Sequence, residues 1–291
     1  MLQGSYVALV TPFQNGEIDY NKLEGLLQFH LNNNTDGILL LGTTAEASAL
    51  ANDEKDRLLR FAIQRLKGKV PIMIGAGTNN IKQTIATTHK AFSLGADYAL
   101  VITPYYIKPT QEGMYHYFKE IASKTDGKIV IYNVPGRTGI NISSSTTVRL
   151  AKECKNIVGI KEASADLVQA TEIIRDAPKE FSVMSGEDAL IMPTMAIGAK
   201  GCVSVTANIV PAKVHQLVDY CLKGEYSKAM HLHQDLLELN RKMFIETNPI
   251  PVKEALAIMG MIEPEFRLPM YPLQSANRDI LKECLKRYEL F

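Results

Sequence analysis

Short apolar runs rich in Val and Ile punctuate the first two thirds of the chain, and most stop at Gly, Thr or Pro. In order they are Tyr6–Val10, Gly37–Leu41, Val70–Ile74, Tyr98–Ile102, Lys128–Tyr132, Ile157–Lys161, Phe181–Ser185 and Cys202–Val205. They do not alternate between apolar and polar positions. Continuous runs of this length fit parallel strands covered on both faces. Helical periodicity fills the intervals. Asp19 precedes Leu23, Leu26, Leu27 and the His30-Leu31 pair, and Asn52-Asp53-Glu54 opens a segment carrying Leu58, Leu59, Ala62 and Leu66 before Gly68. Polar side chains at the start of a helix and glycine at its end suit the unpaired N–H and C=O groups there.

Helix-plus-strand units recur about every 20 to 33 residues, within the range of βαβ construction. Eight of them predict an α/β fold, a (β/α)8 TIM barrel, ahead of an open doubly wound sheet. No G-x-G-x-x-G follows the first run, which weakens a dinucleotide-binding reading. From residue 225 the pattern is helical only, over Tyr226–Phe244, Pro251–Met259 and Ala276–Tyr288. The expected organisation is a catalytic barrel over 1–224 and a C-terminal helical domain over 225–291, joined without a low-complexity linker.

Composition narrows the classes further. The 291 residues are 46% hydrophobic and 22% charged, enough to bury a large core, which excludes a disordered chain or a disulfide-stapled mini-protein. Lys and Arg number 32 against 31 Asp and Glu, a formal net charge of +1. That balance gives no bulk electrostatic reason to expect nucleic acid or anionic lipid. No apolar run approaches the roughly 18 residues a membrane helix needs, and candidates such as Ile38–Leu41 are strand-sized. The N-terminus has neither a basic segment nor a long apolar one, so a cytoplasmic location is expected. Cys154, Cys202, Cys221 and Cys284 lie far apart, with no C-x-x-C pair. His231 and His233 sit two apart on a helical stretch and face different ways. No metal is expected.

In barrels of this kind the chemistry lies at the carboxyl ends of the strands. Most residues ending the runs are small, namely Thr11, Thr43, Thr103, Ser185 and Thr206; Tyr132 and Lys161 stand out. A strand-end lysine can simply reach solvent along its stem. It can also be a Schiff-base nucleophile for a carbonyl substrate, given an environment that keeps its amine uncharged. Gly159, two residues back on the same face, would leave room beside it. Tyr132 ends the neighbouring run, about 4.8 Å away if the strands pair. Its phenol could donate and accept the proton that expelling water from a carbinolamine requires, or it could be a core tyrosine with a backbone partner. Arg137 follows in the next loop, where its fork suits a substrate carboxylate or an ordinary surface ion pair. Gly42-Thr43-Thr44 could cradle an anion with two N–H groups and two hydroxyls, although such turns are common at strand ends. Tyr105-Tyr106 would most simply be explained by packing.

Taken in order, Gly42-Thr43-Thr44-Ala45-Glu46, Thr103-Pro-Tyr-Tyr106, Tyr132-Asn-Val-Pro-Gly-Arg-Thr138 and Gly159-Ile-Lys161-Glu resemble the dihydrodipicolinate synthase family. This family belongs to the superfamily of pyruvate-dependent class I aldolases and lyases. The similarity runs nearly the whole length, through Ser204-Val-Thr-Ala-Asn208, Asn248-Pro-Ile-Pro-Val-Lys253 and Arg267-Leu-Pro-Met270.

The resemblance implies a lyase that joins pyruvate to L-aspartate 4-semialdehyde, in lysine and diaminopimelate biosynthesis, with no cofactor beyond the imine on Lys161. It implies a proton relay of Tyr132, Thr43 and Tyr106, with Tyr106 supplied by a neighbouring subunit. Thr43 and Thr44 are expected at the pyruvate carboxylate, Arg137 at the semialdehyde carboxylate, and Gly186 and Val203 in the pyruvate pocket. A homotetramer built from dimers is implied as well. A related aldolase or lyase acting on a sugar acid is the alternative, although such relatives usually lack the arginine matching Arg137. A catalytically silent barrel acting as a binding module is the remote one.

The chain departs from the family pattern at Ala45 and Ala47, where glycine and serine are usual. Ala47, Asn52, Lys55 and Gln83 replace residues that surround a lysine effector in inhibited members, while Asn79 and Tyr105 are kept. Losing an anionic acceptor and adding Lys55 disfavours a cationic effector. Weak or absent feedback by lysine is therefore expected.

Overall fold

The computed structural model describes Met1–Phe291. Eight parallel strands close into a barrel: β1 (Gly4–Ala8), β4 (Gly37–Leu40), β5 (Ile72–Gly75), β6 (Tyr98–Ile102), β7 (Lys128–Asn133), β8 (Ile157–Glu162), β9 (Ser182–Ser185) and β10 (Gly201–Ser204). β1 pairs with both β4 and β10, which closes the ring. The (β/α)8 architecture read from the apolar runs is the one formed, since a strand buried on both faces needs helices outside and packed side chains within. Inside lie Leu2, Tyr6, Leu39, Met73, Tyr98, Leu100, Val130, Met184 and Val203. A larger cluster of 63 buried residues lies outside the strands and runs on into the C-terminal helices through Leu236, Leu239, Val252 and Leu281.

Helix starts follow the expected chemistry. The Asp19 carboxylate accepts from Lys22 N at 2.9 Å at the head of the Tyr20–Asn32 helix. Asn52 is already the first helical residue of Asn52–Leu66, and Ala51 precedes it; the Glu54 side chain turns back to accept from Ala51 N at 2.8 Å. Gly68, with φ +78°, lies just beyond the end of that helix. The C-terminal region carries helices at Tyr226–Lys242, Ile250–Ile258 and Ser275–Arg287. No helix is long and apolar enough to cross a membrane.

Two details differ from the sequence reading. β1 stops at Ala8 and not at Val10, because the Asn208 side chain takes over the backbone there. Its Oδ1 accepts from Val10 N at 3.2 Å and its Nδ2 donates to Ala8 O at 2.8 Å. A small antiparallel ribbon, β2 (Phe13–Gln14) with β3 (Glu17–Ile18), follows. Its turn is Asn15-Gly16, both at positive φ (55° and 81°), the conformation a two-residue hairpin favours.

Candidate active site

β7 and β8 pair in a register that sets Tyr132 directly beside Lys161 at the carboxyl end of the barrel. Both side chains point inward and both are buried. The Lys161 ammonium position lies 4.3 Å from the centre of the Tyr132 ring. Only one other lysine is as deeply buried. Lys253 sits 2.5 Å from the Glu46 carboxylate, between the rings of Phe13 and Phe266. Lys161 has an aromatic face where Lys253 has a carboxylate. Lys253 is thus held in a buried ion pair, and Lys161 is in none.

A cavity of about 360 Å³ opens above Lys161. Thr43, Thr44, Tyr132, Arg137, Lys161 and Gly186 all line it, so the structure gathers these residues, scattered in the sequence, into one place. The crowding at Gly186 is tight: a Cβ there would lie 2.7 Å from Ala163 Cβ and 3.1 Å from Cγ and Cε of Lys161. The space at Gly159 is not left open beside Lys161. Ser182 O would be 2.5 Å from a Cβ there and Leu2 Cδ2 3.3 Å, so that glycine lets strand and core approach.

Thr43–Ala45 form a single helical turn, with the N–H groups of Thr43 and Thr44 at its open end. The turn ends at Glu46, a non-glycine residue in the left-handed region at φ +52°. Strain of this kind persists where the surroundings fix it. Here Lys253 grips one Glu46 oxygen and Arg267 N donates to the other at 3.0 Å. Asn248 Nδ2 donates to Thr44 Oγ1 at 3.0 Å, and Arg137 Nη2 donates to Asn248 O at 3.0 Å. The turn and the arginine are thus both tied to the segment after the Tyr226–Lys242 helix. That segment also puts Phe244, Thr247 and Asn248 into the cavity lining.

Val203 and Tyr106 do not line this cavity within the single chain. Val203 is packed among the barrel's interior side chains below the cavity, and Val205 takes the lining position. β10 ends at Ser204, and Val205 follows it in a helical backbone conformation (φ −85°, ψ −44°). Tyr106 is 86% exposed at φ +72° and lines no part of this cavity. A second cavity, about 700 Å³, is lined by Ala47, Asn52, Lys55, Gln83 and Tyr105, and it shares Thr43 and Tyr132 with the first.

Sequence reasoning gave no role to Glu187, nor to Asn248 and Lys253, although the last two bound a motif of the resemblance. Glu187 lies two residues past the end of β9, beyond the residues that close the apolar runs. Burial, and next the neighbouring Asp188 carboxylate, raise its pKa above the ordinary glutamate value. Asp188 is itself raised by complete burial, although it accepts from Val205 N and Thr206 N at 2.9 and 3.1 Å. No group of three or more His, Cys, Asp or Glu side chains is placed to hold a metal ion.

The architecture is that of a (β/α)8 barrel with its polar cavity at the carboxyl end of the strands. Comparison with known proteins then gives the family. The sequence profile of the Dihydrodipicolinate synthetase family matches residues 1–288. A 4-hydroxy-tetrahydrodipicolinate synthase of Hydrogenobaculum sp. is 48% identical over 290 residues, covering 100% of both chains. The crystal structure of dihydrodipicolinate synthase from Aquifex aeolicus superposes with a TM-score of 0.97 at 45% identity, covering 99% of each chain. The chloride-inhibited enzyme from Acinetobacter baumannii, complexed with pyruvate, gives 0.98 at 40% identity over 100% of both. The chain belongs to the dihydrodipicolinate synthetase family.

Proposed function

We propose that this enzyme is a 4-hydroxy-tetrahydrodipicolinate synthase, a lyase that condenses pyruvate with L-aspartate 4-semialdehyde through an imine on Lys161. The observation that carries the reading is a buried lysine without a carboxylate partner, set against a tyrosine ring at the floor of a polar cavity. Full-length similarity to enzymes of that name, together with Arg137 in the lining, supports it over a sugar-acid aldolase.

The Lys161 amine adds to the keto carbon of pyruvate while the carboxylate rests on the N–H groups of Thr43 and Thr44. Tyr132 gives a proton to the carbinolamine oxygen, which leaves as water, and the C=N bond forms. Tyr132 takes a methyl proton to give an enamine, whose carbon adds to the aldehyde as Tyr132 returns that proton to the new alkoxide. The amine of the second substrate then attacks the imine carbon, the bond to Lys161 breaks, and the ring closes. Thr43 and Tyr106 of the partner subunit pass protons between Tyr132 and solvent. Arg137 holds the semialdehyde carboxylate, while Gly186 and Val203 shape the pyruvate end, Val203 from beneath. Pyruvate on Lys161 is the only covalent partner in this scheme, and no cofactor enters it.

A homotetramer of dimers in the cytoplasm completes the reading. Lysine inhibits weakly or not at all, and half-maximal inhibition at sub-millimolar lysine would contradict that. Borohydride trapping with pyruvate, read by peptide mass spectrometry, tests the chemistry. A reduced pyruvyl adduct is expected on the peptide containing Lys161 and is lost in Lys161→Ala. An adduct on another lysine, Lys253 included, overturns the assignment.

A further inference from the structure

The charges lining the cavity number three. Lys161 and Arg137 are the basic side chains and Glu187 is the single carboxylate. In the proposed reaction Lys161 becomes bound to pyruvate and Arg137 faces a carboxylate, which leaves Glu187 with no assigned task. Its place is well fixed. It follows Gly186, whose Cα packs against the Lys161 side chain, and its carbonyl accepts from Ser185 Oγ at 3.0 Å. Its carboxylate is nearly unused: Oε1 meets only Ala189 N, at 3.4 Å, and Glu187 takes part in no ion pair. A half-buried carboxylate without a cation is costly, and a cationic ligand would relieve that cost.

We infer that Glu187 is the acceptor for the α-ammonium group of the second substrate, and that it makes the site selective for an amino-acid aldehyde over an amine-free one. This rests on the proposed synthase reading. Arg137 and Glu187 then engage the carboxylate and the ammonium carried by one carbon of the zwitterion, and the ammonium offsets the burial and the Asp188 repulsion that raise Glu187. Asn248 Oδ1, buried and without a partner, is a second acceptor in the same lining. Holding the nitrogen from this wall also keeps it inside the cavity that contains the imine carbon; the ammonium gives one proton to the Glu187 carboxylate, and the lone pair so freed attacks that carbon. A sugar acid or a plain aldehyde offers Glu187 no cation.

The test compares the wild-type enzyme with Glu187→Gln, Glu187→Ala and Glu187→Asp. The amine-free analogue 4-oxobutanoate serves as a competitive inhibitor against aspartate semialdehyde. Loss of one charge-assisted hydrogen bond predicts a KM for aspartate semialdehyde about 10- to 100-fold higher in the Gln and Ala variants. The inhibition constant of 4-oxobutanoate and the KM for pyruvate stay at wild-type values, and Glu187→Asp recovers part of the loss. An unchanged KM for aspartate semialdehyde overturns the inference. So does a parallel rise for 4-oxobutanoate, which would mark general damage to the pocket. Failure of the synthase reading would show separately, as absence of the borohydride-trapped pyruvyl adduct in the wild-type enzyme.

Discussion

At the scale of single residues, what distinguishes Lys161 is the company it keeps. Its Nζ lies over the Tyr132 ring and its stem packs against the bare Cα of Gly186. Gly186→Ala therefore tests whether that packing sets the amine's position. The added methyl would meet Ala163 Cβ at 2.7 Å and two carbons of Lys161 at 3.1 Å, so the lysine stem must move. A displacement near 1 Å at a reacting atom can cost about 100-fold in rate. The expected result is a pyruvyl adduct that forms on the order of 100-fold more slowly, measured by quenched single-turnover trapping. Overpacking at one site costs about 1–3 kcal/mol, so the variant still folds in a thermal melt.

Residue-level legibility followed from strand ends. Lys161 and Tyr132 close their apolar runs, and their pairing across β7 and β8 follows from adjacency. Glu187 and Asn248 were not legible that way, because one lies past the end of its strand and the other comes from a helical region over sixty residues further on. Val203 packs in the barrel interior without lining the cavity. It lies on an inward strand position, but periodicity cannot say at what height the packed interior gives way to a cavity.

At the scale of elements, the eight strands were readable because both faces are buried and the apolar signal is continuous. Their ends were less so, since β1 is cut short by a side chain from nearly two hundred residues away, a contact no local pattern contains. Asn15-Gly16 did carry a local signal, but with two residues on each arm the hairpin leaves almost no alternation to detect.

The ties between the Thr43–Ala45 turn and the C-terminal helices were likewise invisible before folding. Glu46 and Lys253 form an ion pair with side chains 1% and 0% exposed, one end on the turn and the other on the Ile250–Ile258 helix. Removing one partner leaves a buried charge uncompensated, whereas removing both need not. Lys253→Met is expected to lose about 3–5 kcal/mol of stability by urea unfolding. Lys253→Met combined with Glu46→Gln should recover a substantial part, because no charge is then stranded. If single and double variants unfold alike, the pair is not what holds the turn.

At the scale of the whole molecule, the proposed proton relay is not completed within a single chain, because Tyr106 lies outside the cavity that holds Lys161. Tyr106 sits in a loop with positive φ at both Tyr106 and Lys108, is 86% exposed, and is followed by Ile107 at 58%. An isolated monomer gains nothing from presenting two large side chains on a strained backbone. A partner subunit that buries them gives the strain a use. The relay proposed here needs Tyr106 of the partner subunit, and mixing two defective chains decides the point. Lys161→Ala lacks the amine and Tyr106→Phe lacks the exchanged hydroxyl, so each is expected to be nearly inactive alone. In a two-fold dimer that combines them, the site on the Tyr106→Phe chain keeps its own Lys161 and receives an intact tyrosine across the interface. Random assembly of equal amounts then yields about a quarter of wild-type activity, from one sound site in half of the dimers. If the tyrosine served its own chain, no mixed dimer would hold a complete site and co-expression would restore nothing.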